Sequence, residues 1–180
     1  MPDWRNTAES YGVVARALHW AIGLLLLAQL TLGVVTFELL ERGAERSALA
    51  GIHKALGVVL LMMVLARLAW RSYDPVPEPP PSMCQAELRG ARLGHALLYL
   101  LMMVVPVLGL LVSDTSGRAT DVFGLFTVPE MVGEHEDLHD AFELAHKIGA
   151  YTLLAMIVVH VAGVVYHQLY CKDGVLRRML

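Results

Sequence analysis

The chain has 180 residues, 56% of them apolar and only 17% charged, with a formal net charge of −3 at neutral pH. Too few polar side chains are present to coat a water-soluble domain of this size, so the composition places the chain in a membrane. The mildly acidic balance, with no basic arm and no aromatic-basic motif, sets nucleic acid aside as a partner.

A bilayer crossing needs roughly 20 predominantly apolar residues at about 1.5 Å each, and four stretches qualify: 17–37, 52–70, 93–112 and 148–170. With their flanks they predict helices at 14–38, 50–71, 90–113 and 141–171, an all-α four-helix transmembrane bundle forming one integral-membrane domain over 1–180. The first run is too long and wrongly flanked for a cleaved leader, so it reads as a retained helix. The second carries Arg67, expected to snorkel toward the nearest interface. After the short connection 38–51 comes Asp74-Pro75-Val76-Pro77-Glu78-Pro79-Pro80-Pro81, expected to be an extended, semi-rigid spacer. The longest connection, 113–143, is acidic and is expected to end in a short amphipathic segment leading into the last helix.

Charge placement sets the expected orientation. A cytoplasmic amino terminus puts Arg5, Arg16, Arg67, Arg71, Arg89, Arg92, Lys172, Arg177 and Arg178 inside, and Arg42, Arg46, Lys54, Arg118 and Lys147 outside. The inner excess predicts a multi-pass chain with both termini in the cytoplasm. Cys84 and Cys171 then face a reducing compartment, and no disulfide is expected.

Four histidines lie inside or at the ends of these apolar runs. An ionisable ring in hydrocarbon is costly unless something binds it, and His19, His53, His146 and His160 match in pairs by depth. His53 and His146 both open their helices at the outer side. His160 lies 14 residues beyond His146, about 21 Å along the helix and nearly on the same face, at the depth of His19. Two imidazoles from facing helices at one depth are what an iron porphyrin held at both axial positions needs, so the spacing points to two haems. Each of these histidines has a glycine three or four residues on, at Gly23, Gly57, Gly149 and Gly163, where a side chain would strike a porphyrin one turn from its ligand. Glycine also serves helix packing in membranes. With no C-x-x-C-H motif, covalent c-type attachment is not expected.

Other residues fall around this constellation. His95 competes with His19 for the inner site but lacks a glycine one turn on; His95 and His167 are read as quinone-contact or supporting residues, against ordinary interfacial histidines. Lys54 and Lys147 each follow an outer histidine, while Arg16 and Arg92 lie at the inner mouth. All four are candidates to neutralise haem propionates or attract an anion, against simple interface anchoring. His135-Glu136-Asp137-Leu138-His139 matches the H-E-x-x-H zinc-peptidase pattern, but with no soluble domain to form a cleft it reads as a solvated acidic loop. No Asp or Glu lies mid-helix, so no proton-relay carboxylate is expected.

The chain resembles the bacterial cytochrome b561 family from Arg16-Ala17-Leu18-His19-Trp20 through Gly51-Ile52-His53-Lys54 and Leu93-Gly94-His95 to Ala145-His146-Lys147-Ile148-Gly149 and Val159-His160. The resemblance implies two non-covalent b-type haems, one held by His53 and His146 at the periplasmic side and one by His19 and His160 at the cytoplasmic side. It also implies single-electron transfer with ubiquinone and, in one branch, oxidation of superoxide at the periplasmic face. Against superoxide steering, the outer segments carry eleven Asp and Glu and five Lys and Arg. With both axial positions filled, chemistry is expected to be outer-sphere oxidoreduction, with no catalytic residue at an open metal position. The alternative is a haem-bearing membrane anchor for a hydrogenase or formate dehydrogenase; short termini and modest loops favour a chain that needs no partner subunit.

Overall fold

The computed structural model describes residues 3–180. Its elements in chain order are α1 (Val13–Val34), α2 (Ala44–Tyr73), α3 (Gln85–Thr115), β1 (Thr120–Val122), β2 (Phe126–Val128) and α4 (Glu136–Tyr166). Wider π-helical turns extend α1 through Val35–Leu39 and α4 through His167–Cys171. All four α-helices are long and apolar enough to cross a membrane, and the chain is a four-helix transmembrane bundle. α2 begins at Ala44 and α4 at Glu136, several residues before the expected starts, because good helix formers such as Ala44, Glu45, Arg46 and Ala48 carry a helix into water beyond its apolar stretch. α3 starts with Glu87 accepting a hydrogen bond from the Cys84 amide at 2.8 Å, which satisfies an otherwise orphaned donor.

The long connection holds something the all-α expectation lacked, an antiparallel hairpin pairing Thr120 with Val128 and Val122 with Phe126. Phe123 and Gly124 have φ of 53° and 73°, the two positive values of a type I′ turn, and Asp121 accepts a hydrogen bond from the Gly124 amide at 2.8 Å. β1 packs on α2 and buries Val122, so the hairpin caps this end of the bundle.

The core is built from Ile22 and Leu26 on α1, Leu60 and Val64 on α2, Leu98 and Met102 on α3, and Leu153 on α4. Close packing joins α1 to α2, α2 to α3 and α3 to α4, with no comparable backbone packing of α4 against α1 or α2. α4 buries Leu153 fully while Ile148, Tyr151, Val158, Val159 and Val165 stay exposed, as a helix facing lipid can. The fourth side of the bundle is therefore bridged by side chains.

The end opposite the hairpin carries the amino-terminal arm from Asp3 onward and the carboxyl-terminal segment, and is stitched by polar contacts. The buried Asp74 accepts from the Asn6 amide at 2.8 Å and Arg5 Nε at 3.2 Å, and Asn6 Nδ2 donates to the Pro75 carbonyl at 3.0 Å. Trp20 Nε1 donates to the Met179 carbonyl at 2.8 Å, and the Tyr11 amide to that of Arg178. The proline-rich segment is tied to the amino-terminal arm at Asp74 and Pro75 and again at Glu78, whose amide donates to the Ala8 carbonyl at 3.0 Å. Gly12 admits no side chain here, since a Cβ would come within 2.4 Å of the Arg5 backbone.

Arg67 departs from the snorkelling expectation. It turns inward, donating from Nε to the Tyr99 hydroxyl at 2.8 Å and from Nη1 to the Ala15 carbonyl at 2.9 Å. Two of its five donors are thereby satisfied by neighbouring helices inside the bundle.

Candidate haem-binding site

The antiparallel helices bring the four histidines together in two pairs. At the hairpin end the rings of His53 and His146 have centroids 6.3 Å apart with planes at 87°. At the terminal end His19 and His160 stand 6.2 Å apart at 71°. An imidazole nitrogen sits about 2.0–2.1 Å from a bound first-row metal ion, so adding ~1.1 Å from nitrogen to ring centre on each side puts two opposed ligands ~6.3 Å apart. Steep angles between the planes suit two rings twisted about one shared axis. Both separations therefore fit one iron between each pair, and His146 and His160 set the two levels about 21 Å apart along α4.

At the hairpin level the rings are tightly placed. His146 donates from Nδ1 to the Val105 carbonyl at 2.9 Å, which fixes the ring and leaves Nε2 for a metal. The Val105 turn is also that of Pro106, which has no amide to donate. His53 has a fully buried Nδ1 with no protein partner, while its backbone carbonyl accepts from Gln29 Nε2 at 2.6 Å. Two glycines on neighbouring helices make room for the rings. A Cβ at Gly33 would lie 3.0 Å from His53 Cε1, and one at Gly109 would lie 2.9 Å from His146 Cε1. Spacing from the ligand cannot find these glycines, because the contact is made across helices.

The glycines one turn after the histidines divide by level. Gly23 and Gly163, beside the terminal pair, have nothing within 4 Å of a Cβ position, as a cradle for a flat disc requires. Gly57 faces Gln29 Nε2 at 3.4 Å and Gly149 faces Val105 Cγ2 at 2.9 Å. Gly149 therefore serves the α3–α4 contact rather than a porphyrin face.

His95 joins the terminal pair, with its ring centroid 5.4 Å from that of His160 and its Nδ1 2.7 Å from the Ala91 carbonyl. That separation is below the ~6.3 Å of two ligands opposed across a metal, so the geometry fits His19 better than His95 as the partner of His160. His167 lies seven residues, about two turns, beyond His160 and bonds Asp173 through Nδ1 at 2.6 Å, with Asp173 almost wholly buried.

The flanking cations are engaged to different degrees. Lys54 donates to Ser113 Oγ at 3.0 Å and to the Ala119 carbonyl at 3.4 Å. Lys147 lies 3.3 Å from Glu38 and 3.8 Å from Glu143. Arg16 is half-buried and Arg92 exposed, each three residues before a terminal-level histidine. The H-E-x-x-H histidines do not share a helical face: His135 precedes α4 and accepts from the Leu138 amide, whereas His139 Nδ1 lies 3.1 Å from the Val112 carbonyl. A 370 Å³ cavity beside the hairpin is lined by Asp114, Arg118, Glu130 and Glu134 among others and by no histidine, so it is separate from the site that the imidazoles mark.

Residues 10–180 match the family model described as prokaryotic cytochrome b561. The chain is 31% identical over 178 residues to cytochrome b561 homolog 2 of Escherichia coli strain K12, covering 99% of this chain and 95% of that protein. It is 25% identical to the probable superoxide oxidase CybB of Yersinia pestis, over 96% of each. To cytochrome b562 of Cereibacter sphaeroides it is 26% identical, over 91% of this chain and 90% of that one. The chain belongs to the prokaryotic cytochrome b561 family, bacterial membrane proteins that carry electrons on b-type haem.

Proposed function

We propose that the chain holds two b-type haems, His53 with His146 and His19 with His160, and passes single electrons between a periplasmic donor and the ubiquinone pool. The observation that carries this is the pair of facing imidazole gaps, 6.3 and 6.2 Å, on opposite ends of one bundle. When bound, each haem would be held by its two imidazoles and would supply a reversible one-electron couple. The protein's part is to hold the rings, keep the interior dry and set the distance between levels. His146 is oriented by Val105, and the apolar layer of Leu26, Leu60, Met102 and Leu153 lies in the core between the ends. The terminal end is read as cytoplasmic from its excess of Lys and Arg.

Superoxide is the proposed small donor. Two superoxide ions give up one electron each, and with two protons these convert one ubiquinone to ubiquinol. The chain's similarity to a probable superoxide oxidase supports this reading. The hairpin end offers Lys54 as a held cation beside His53, while Lys147 is screened by Glu38 and Glu143.

The purified chain should show a reducible b-type band and about two irons per polypeptide. A superoxide source should reduce it and ubiquinone should reoxidise it without any partner protein. Full haem content with failure of both steps would favour the anchor-subunit reading. Absence of the band would remove both.

A further inference from the structure

α2 supplies more than His53. Arg67 follows His53 by 14 residues, the interval that separates His146 from His160 on α4. It therefore lies about 21 Å further toward the terminal end and within about 40° of the His53 face. α2 thus presents an imidazole at one level and a guanidinium at the other. The guanidinium is held between helices by the Tyr99 hydroxyl and the Ala15 carbonyl, both uncharged. No carboxylate comes within ion-pair distance of it among the described residues. Tyr99 lies one turn after His95 on α3 and Ala15 one turn before His19 on α1, so the guanidinium they hold stands beside the terminal-level imidazoles.

We propose that Arg67 is the fixed cation that raises the reduction potential of the terminal-level haem above that of the hairpin-level haem, giving the electron a built-in direction across the bundle. This rests on the two-haem reading above. When one electron passes from the hairpin-level iron to the terminal-level iron, the first is oxidised and the second reduced, with no bond made or broken. The terminal site then loses one unit of positive charge. A permanent neighbouring cation favours that state, and the poor screening of a dry bundle enlarges the effect. The hairpin level has a weaker counterpart: Lys147 lies beside two glutamates, and Lys54, though free of a carboxylate partner among the described residues, is drawn to Ser113 and the hairpin-side Ala119 carbonyl. A purely structural tie between α1, α2 and α3 would account for the hydrogen bonds but predicts no shift in potential.

The test is a redox titration of the holoprotein, followed at its b-type absorption, with the terminal-level wave identified by its absence in His19→Ala. In the unsubstituted protein the terminal-level wave should be the more positive. Arg67→Met should lower it by tenfold or more in the one-electron equilibrium, 59 mV, and leave the hairpin-level wave in place. Arg67→Lys should restore most of the shift. An unmoved terminal wave in Arg67→Met at full haem content, or an equal fall in Arg67→Lys, would overturn the proposal. If Arg67→Met loses its haem, the order of the two waves in the unsubstituted protein decides, and a more positive hairpin-level wave rejects the proposal. A missing b-type band is a different result, which rejects the site itself.

Discussion

The two ends of the bundle bring together similar pairs of rings and hold them by different means. At the hairpin end His146 is tied to the Val105 carbonyl, His53 is buried, and Gly33 and Gly109 leave just enough room for the rings at 3.0 and 2.9 Å. At the terminal end Gly23 and Gly163 open onto space, a third imidazole stands 5.4 Å from His160, and Arg67 brings a charge. One end positions its rings by packing; the other surrounds them with polar groups. A rigid, apolar level suits an unvarying electron relay, whereas a roomy, polar level can be tuned by charge.

The largest effects should come from removing rings, and they distinguish the levels. His146→Ala should lower the iron content from about two to about one per chain, because no other imidazole faces His53 at that level. His19→Ala should do the same at the terminal end. His95→Ala should keep both haems, since its ring lies too close to that of His160 to oppose it across a metal. Haem content and the b-type spectrum of the three purified variants decide this. Loss of the terminal haem in His95→Ala with retention in His19→Ala would reverse the pairing.

Next come the glycines, where the two ends should fail for opposite reasons. In Gly109→Ala the new methyl meets a ring that cannot retreat without giving up its bond to Val105, an overpacking worth about 1–3 kcal/mol. Faster loss of the hairpin-level haem to an apoprotein acceptor is expected. A Cβ at Gly163 meets no protein atom within 4 Å, so Gly163→Leu should fold normally, yet fill the space beside the terminal pair and exclude that haem. If Gly163→Leu binds both haems as tightly as the unsubstituted chain, the open space there is not the cradle.

Much of this arrangement is legible in the sequence because it is periodic. Apolar length marks the four helices, and a 14-residue interval places His146 and His160 at two levels of one face. What the sequence hides is made by contacts between elements. Gly33 and Gly109 face rings on other helices, so a search outward from each histidine finds Gly57 and Gly149 instead, whose neighbours are Gln29 and Val105. Arg67 reads as an interface residue until Tyr99 and Ala15 are seen at its depth. The hairpin escapes notice because its turn places Phe123, which is not glycine, at a positive φ. The early start of α2 is masked by charged residues, which signal water but do not oppose a helix.

The smallest effect on haem binding belongs to Asp74, where the terminal end is held by hydrogen bonds. Its carboxylate is buried, with the Asn6 amide and Arg5 Nε as donors, and it joins the amino-terminal arm to the end of α2. Arg5 is largely exposed and can turn to water, so its share is small. The Asn6 amide cannot turn away so easily. Asp74→Ala should therefore cost about 1–3 kcal/mol, the usual penalty for a donor left without its partner, and leave both haems bound at low temperature. Thermal loss of haem absorbance should begin earlier in the variant and should affect the terminal-level haem first, because the tether closes that end alone. Simultaneous loss of both haems would mean that the two levels unfold as one unit and that their difference is confined to how each ring is held.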